Sequence, residues 1–416
     1  MSTAEGRAYK SLHSWEALER LAFFLRPMLR NLLGHAGRAS LQALLGGRVI
    51  DENLPVEACA SEPWWPDRPL LSVIIPCFNG GSYLPQALRS LGRQTFRNFE
   101  IIVVDDGSDD PRTLRLLARL EHCQGLSLLR QNNAGPGAAR NYGIAHASGR
   151  YVCCLDADDY LAPDYLEKCV VVLEGDSGVR LAHSWMQLFG EERRLGRTLN
   201  LDVELLRYVN HLGVAAVFHR SDWLAAGGFS EARECLYEDW DFWIRLASLG
   251  IRGRVLEEAL LYYRRHGETR LHDANRRAFQ GYQFLRHAHD AFYTDAPWRR
   301  NLVRGYSRRL VSTPMSNLSR PQQYRHYPNG VSLLHVGDPG EISSDYRQAL
   351  RELPPGQSLQ VIVEHDEKLP DWLCRNAELI YRLPALLDRS QWPAFVENFL
   401  KTRNVVRRLS VCAGKR

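Results

Sequence analysis

The sequence predicts an α/β protein centred on a Rossmann-like, mostly parallel sheet. Three observations carry that expectation. Residues 71–75, 101–104 and 151–155 are short, near-continuous apolar runs, as strands buried on both faces require. Segments with helical spacing separate them, the alternation that builds a parallel sheet. The first run stops at Pro76 and the other two at acidic residues, Asp105-Asp106 and Asp156-Ala157-Asp158-Asp159. Open α/β sheets bind ligands beyond the carboxyl ends of their strands. Acids gathered at that edge repel one another unless a cation sits among them. The physical reading is a metal-assisted nucleotide site.

Ahead of the sheet, residues 1–66 read as a helical extension and linker. Over 15–33, Leu18, Leu21, Ala22, Leu25, Met28, Leu29 and Leu32 recur at helical period, and Pro27 should kink or break the helix. Arg20, Arg26 and Arg30 make this element basic and amphipathic. It suits packing on the main domain or a partner protein first, and a peripheral membrane surface second. Residues 55–69, with Trp64-Trp65, form the linker.

The main domain is expected over 67–272. Residues 82–94 place Leu84, Leu88 and Leu91 on one helical face. Asp110-Pro111 is a helix start, with Asp as N-cap and Pro at the first helical position. A strand at 126–129 and a small-residue helix at 137–146 precede the strand that feeds the Asp-rich turn. Beyond 179 the pattern is less regular, with a strand expected at 213–218 and a short helix at 220–226. A helix follows at 237–249, with Trp240, Trp243, Ile244 and Ala247 at core spacing, then a last strand at 259–263. A helical connector is expected over 273–328. The remainder, 329–416, reads as a small α/β domain of incomplete pattern: strands at 331–336 and 359–363, helices at 344–353 and 392–401, and no Gly-rich phosphate loop. Neither flank repeats the central motifs, so a chain of about 60–328 is expected to bind nucleotide by itself.

The 416 residues suffice for two or three domains. With 45% hydrophobic and 24% charged residues the composition is that of a globular protein. Lys plus Arg exceed Asp plus Glu by 53 to 48, a net +5 too mild to argue for nucleic acid. The basic lean agrees with a diphosphate substrate and equally with a solvated basic surface. Nine cysteines without CxxC spacing suggest reduced thiols and a cytoplasmic protein. No apolar run approaches the ~20 residues of a membrane span, and MSTAEGRAYK lacks the apolar core of a signal peptide. The expected location is the cytoplasm, with the inner face of the membrane as a peripheral variant. A dehydrogenase is disfavoured, because no GxGxxG opens a helix after the first strand.

SVIIPCFNGGSYLPQALRSLGRQTFRNFEIIVVDDGSDD, followed by LDADDYLAPDYLEKC, resembles the family-2 glycosyltransferases of GT-A fold. The resemblance covers roughly residues 70 to 270. It implies inverting, metal-dependent transfer of a hexosyl or N-acetylhexosaminyl group from a nucleotide diphosphate, UDP above all. The acceptor would be a hydroxyl on a glycan, lipid-linked sugar or other molecule, as in cell-envelope polysaccharide synthesis. A departing diphosphate needs charge stabilisation, which a divalent cation supplies as a Lewis acid. Such a cation takes oxygen ligands, usually one or two from protein carboxylates. The family motif makes Asp158 the direct ligand of Mn²⁺ or Mg²⁺, and Asp156 the acid on the nucleotide side or a further ligand. Asp159 reads alternatively as the cap of a helix starting near Pro163.

The same resemblance implies that Asp106 accepts a hydrogen bond from the nucleobase, with Pro76 and Phe78 alongside the base. Asp105 is either part of that site or a turn acid. Arg140, in GPGAARN, would reach the diphosphate or the metal-site acid, and a guanidinium suits either. Inverting transfer also needs a carboxylate to take the acceptor hydroxyl's proton. In LYEDWDFW that role falls to Asp239, with Glu238 the next candidate and Asp241 a helix-surface or capping acid. His266 matches the position of a third metal ligand in some members, although RRHGET departs from the commoner spacing. His183, His211 and His219 show no pairing pattern. Two competitors stand beside the enzyme: a non-catalytic nucleotide-sugar or glycan binding module, and a nucleotidyltransferase, which would not need the Glu238-Asp239 pair.

Overall fold

In the computed structural model, β1 (Leu71–Cys77), β2 (Phe99–Asp105), β3 (Leu126–Arg130) and β4 (Tyr151–Cys154) run parallel in the order β3-β2-β1-β4. The structure describes residues 69–267, 270–294, 324–337, 357–365 and 369–411. The helix expected at 15–33, the linker before Pro69 and the helix expected at 344–353 lie outside them. β2 and β4 are buried at every residue and β1 at all but Pro76, which explains their mostly apolar sequences. α1 (Leu84–Gly92) turns Leu84, Leu88 and Leu91 into the core, and α2 (Pro111–Leu120) starts at Asp110, whose carboxylate accepts from Thr113 N at 2.8 Å. α3 (Pro136–Ala145) packs on β1 and β2 through Gly143, where an added Cβ would lie 2.5 Å from the Ile74 side chain.

Beyond β4 the sheet becomes mixed. β5 is Tyr160–Leu161, β6 Leu181–Gly190, β7 Arg194–Gly196, β8 Val217–His219 and β9 Gly253–Arg265. β4 pairs antiparallel with β8, β8 antiparallel with β6, β6 parallel with β9, and β9 antiparallel with β5, while β7 pairs antiparallel with β6. The sheet is thus parallel in one half and mixed in the other, as expected for a GT-A domain. The strand expected at 213–218 shrinks to β8, the one expected at 259–263 is the end of the thirteen-residue β9, and β6 had no clear sequence pattern. The path of β9 matters most. Its carboxyl end reaches β5, just beyond the acidic turn.

α4 (Tyr165–Gly175) is buried at all eleven residues. One cover is a second sheet, wholly parallel, of order β12-β11-β10-β13, formed by β10 (Val331–Val336), β11 (Ser358–Val363), β12 (Leu379–Arg382) and β13 (Val405–Val411). β12 and β13 join the two strands expected from the sequence. Val171 and Leu166 of α4 join Leu333, Ile362, Tyr381 and Phe399 in one apolar cluster continuous with the main core. Glu167 pairs with Arg403 at 2.5 Å and accepts from the Tyr381 hydroxyl at 3.3 Å. Lys168, buried too, lies 2.7 Å from Asp164 and 2.6 Å from Glu258. A chain of 60–328 would uncover this face and strand Glu167 without its cation, so the two regions are separate in sequence but share one core.

Among the described residues no helix is long and apolar enough to cross a membrane. Cys77, Cys153, Cys154, Cys169 and Cys235 are buried free thiols.

Arg403→Met should cost about 3–5 kcal/mol, because it leaves a buried carboxylate unpaired. Urea unfolding of that variant, compared with an Arg403→Met/Glu167→Gln double variant, checks the cause: the double variant should recover most of the loss.

Candidate active site

The turn after β4 gathers the predicted acids. Leu155 N donates to Ile74 O at 2.9 Å and Asp159 N to Asp156 O at 3.1 Å, which closes the turn tightly. Carboxylate oxygens of Asp156, Asp158 and Asp159 lie within 4.8 Å of one another. Asp159 is 2% exposed and accepts from Arg264 N at 2.8 Å, while Arg264 Nε donates to Asp158 O at 2.9 Å. Asp159 therefore ties the end of β9 to the turn. It does not cap α4, whose N-cap position is Asp164. Burial holds the Asp159 carboxyl well above the usual carboxylate range.

The end of β9 brings His266 to the same place, with its Nε2 2.9 Å from Asp158 Oδ2. Its Nδ1 is 3.3 Å from the Tyr83 hydroxyl, and the two rings lie 4.5 Å apart. A partner on the second ring nitrogen is what fixes a ligating imidazole. The Arg264 guanidinium lies over the rings of Tyr83 and Phe189, 4.9 and 4.4 Å from their centroids, and bonds Gln86. Half-exposed carboxylates beside an imidazole form an oxygen-rich donor set, and that chemistry fits a hard divalent ion such as Mg²⁺ or Mn²⁺.

Arg140 links this turn to the second motif. It is 3% exposed, and its Nη2 lies 2.8 Å from Asp156 Oδ1 while its Nη1 lies 2.8 Å from Glu238 Oε1. Burial opposes the charge, but Asp156 and Glu238 outweigh it and hold the guanidinium protonated. Of the two partners anticipated for Arg140, the structure shows the acid. Glu238 opens α5 (Glu238–Ser248), and its other oxygen lies 3.2 Å from Arg270 Nη2. Glu238 is thus engaged by two arginines.

Asp239, one residue on, faces different partners. Its Oδ2 accepts from Asn210 Nδ2 at 2.8 Å and its Oδ1 from Trp240 N at 2.7 Å. Burial and the neighbouring Glu238 push its pKa up to about 6, against the pull of Arg140, the Trp240 N–H and Asn210. A carboxylate poised there is suited to accept a proton near neutral pH. Asp241 is buried between Arg245, at 2.5 Å, and His289, at 2.7 Å, rather than on the helix surface.

At the carboxyl ends of β1 and β2, Asp106 is 4% exposed. Gln131 Nε2 and Ala134 N donate to its Oδ1 at 2.7 and 2.9 Å, and Gly135 N to its Oδ2 at 2.9 Å. Asp106 so shapes the loop that leads into α3. Asp105 takes the turn role, accepting from Ser108 N at 2.9 Å. Phe78 follows Pro76 off β1 and is 52% exposed. Asn79 adopts a left-handed φ of 53° and accepts from Asp109 N and Asp110 N, both at 3.0 Å, stitching the two loops together. His183 and His219 stand among the sheet residues as neutral side chains, burial pushing their pKa values down to about 3 and about 4.

Tyr83, Arg264, Asn210, Arg270 and Asn79 were not singled out in sequence. Each meets its partner across a long stretch of chain, so no local pattern could have marked it.

Matches to known proteins fall on the same part of the chain. The family described as glycosyl transferase family 2 matches residues 72–219, and glycosyl transferase family group 2 matches 151–313. An uncharacterized glycosyltransferase of Methanocaldococcus jannaschii is 28% identical over 208 residues, 48% of this chain and 71% of that protein. An uncharacterized glycosyltransferase of Haemophilus influenzae is 40% identical over 103 residues, 24% of this chain and 41% of its own. The glycosyltransferase GlyA of Streptococcus pneumoniae is 36% identical over 125 residues, 29% of this chain and 18% of its own. The matched stretch therefore spans most of the first relative but less than half of the other two. S. aureus TarS 1-349, solved in complex with UDP-GlcNAc, is 23% identical, with 48% of this chain and 60% of that chain covered at a TM-score of 0.41. The chain carries a family-2 glycosyltransferase domain.

Arg140→Met should destabilise the domain by about 3–5 kcal/mol, since two acids lose their shared cation. Arg140→Lys should restore only part of this, because an ammonium does not reproduce the planar fork. Denaturant midpoints of the three proteins check it.

Proposed function

We propose that this domain transfers a sugar from a nucleoside diphosphate, UDP in the first instance, to a hydroxyl on a glycan or lipid-linked acceptor, with inversion at the anomeric carbon. The observation that carries the reading is the bridge made by Arg140: it joins the Asp156, Asp158 and His266 group to Glu238, the residue beside Asp239 at the start of α5. Two clusters of different chemistry, held at fixed separation, suit a reaction that departs from one side and is attacked from the other.

In this reading Phe78 lies along the nucleobase, and the loop held by Asp106 borders it. Asp158 and His266 would hold the divalent cation, with Asp156 beside them. When bound, Mg²⁺ or Mn²⁺ would neutralise charge on the departing diphosphate. Asp239 takes the proton of the acceptor hydroxyl, whose oxygen forms the new bond to the anomeric carbon. The bond to the diphosphate oxygen breaks on the opposite face. Glu238 is no competitor for the proton, because Arg140 and Arg270 keep its carboxylate paired.

Asp239 must be ionised to work, so activity should rise with pH through about 6 and level off above it. Initial rates with a UDP-sugar and Mn²⁺ between pH 5 and 8 test this; a rate flat across that window would remove Asp239 as the base. Asp239→Asn should cut transfer ~10²–10⁴-fold with donor affinity nearly unchanged by calorimetry. Lost donor binding would instead assign Asp239 to the nucleotide. Asp158→Ala should abolish most metal-dependent donor binding, and full Mn²⁺-dependent turnover in that variant would place the cation elsewhere.

A further inference from the structure

Asp239 owes its position to a segment far from it in sequence. Residues 203–212 contain a short helix, Val203–Leu206, followed by a loop clamped from several sides. Trp240 Nε1 donates to Leu206 O at 2.6 Å, and the Tyr282 hydroxyl of α6 (Ala278–Ala288) donates to Arg207 O at 3.0 Å. Arg207 Nη2 donates to Phe292 O at 2.6 Å. Farther along, the Thr198 hydroxyl donates to His211 O, and Asp202 N lies 3.2 Å from His211 Nε2. Asn210 sits inside this clamp. Its Oδ1 accepts from Leu212 N at 3.3 Å, while its Nδ2 donates to Asp239 Oδ2 at 2.8 Å. One end of the amide serves the loop and the other serves the acid.

We infer that Asn210 is a positioning residue for the proposed base: its amide fixes the rotation of the Asp239 carboxylate and stabilises the ionised form. The inference rests on the reading of Asp239 as base. With Trp240 N on Oδ1 and Asn210 Nδ2 on Oδ2, both oxygens are pinned, and each keeps lone-pair capacity for a substrate hydroxyl. A carboxylate held this way meets the acceptor without a rotamer search. The charged groups acting on Asp239 are Glu238, which opposes its ionisation, and Arg140 of α3, which favours it. Arg270 acts through Glu238. Asn210 adds a neutral donor to the favouring side, and losing it leaves Glu238 less opposed.

Two variants separate the two ends of the amide. Asn210→Ala removes both hydrogen bonds. Asn210→Asp keeps an acceptor for Leu212 N, so the loop contact stays, but turns a donor to Asp239 into a second carboxylate. If Asn210 only holds the loop, Asn210→Asp should behave as wild type. If it positions and tunes the base, both variants should move the acid limb of the pH–rate profile upward, Asn210→Asp the farther. An upward shift of about one unit would lower the rate at pH 6 about fivefold and leave the plateau far less affected.

The measurement is initial rate against pH at saturating Mn²⁺ and UDP-sugar, with thermal melts confirming folding. The Asp239 carboxyl is titrated in parallel by ¹³C NMR on Asp-labelled protein and assigned by its loss in Asp239→Asn. The expected result is the same upward displacement in the rate profile and in the Asp239 titration, with the KM for donor unchanged. An Asp239 titration unmoved in both variants overturns the inference, whatever happens to the rate. A titration that moves while the rate profile does not retains the Asn210–Asp239 link but sinks the role of Asp239 as base, and with it any positioning role.

Discussion

The buried guanidinium of Arg140 is the constraint on which the site depends. A cation that is 3% exposed is tolerated only with counter-charges in contact. Those charges come from two motifs far apart in sequence: Asp156 just after β4 and Glu238 at the start of α5. Their separation is set by the width of one guanidinium. Glu238 and Asp239 divide the work as a result. The first neutralises the arginine, and the second, buried and beside the charge of Glu238, keeps a raised proton affinity. Two adjacent acids in one helical turn thus acquire different chemistry from their surroundings alone. The N-terminus of α5 supports both, since a helix start favours negative charge.

The parallel half of the sheet was legible in sequence because everything that specifies it is local. Apolar runs mark β1, β2 and β4, Asp110-Pro111 marks the start of α2, and the acidic turn follows directly on β4. The mixed half was not. β6 is buried toward its start and half-exposed toward its end, so its sequence alternates poorly, and its partners β8 and β9 follow much later in the chain. The same physics divides the site. Asp158, Asp156 and Asp239 sit in compact motifs, whereas Tyr83 meets His266 across 183 residues and Arg264 meets Asp159 across 105. Asp159 shows the limit of local reasoning. An acid shortly before a helix suggests a cap, and only the return of β9 supplies the amide that claims it instead.

α4 held a signal for the second sheet. A helix apolar on every face belongs in an interior, and YLEKCVVVLEG leaves no face for solvent. Its charged residues point the same way. Glu167 and Lys168 are buried, so each needs a partner, and the partner of Glu167 comes from beyond residue 400. The second sheet therefore belongs to the stability of the glycosyltransferase domain even though it carries none of the proposed chemistry. Sequence motifs divide the molecule by function, whereas packing divides it by what covers what.

The glycines of α3 have a consequence for anyone altering this protein. Replacing helical glycine by alanine ordinarily helps, because alanine is the better helix former by about 1 kcal/mol. At Gly137 a methyl group would overlap the Ser230 carbonyl, and at Gly143 it would meet Ile74 and Val104 at 2.5 and 3.0 Å. Each would lever the helix away from its seat, and Arg140, mounted between them, would swing with it. The bare backbone works as a depth stop: where the chain omits a carbon atom determines how far a charge three residues away can reach.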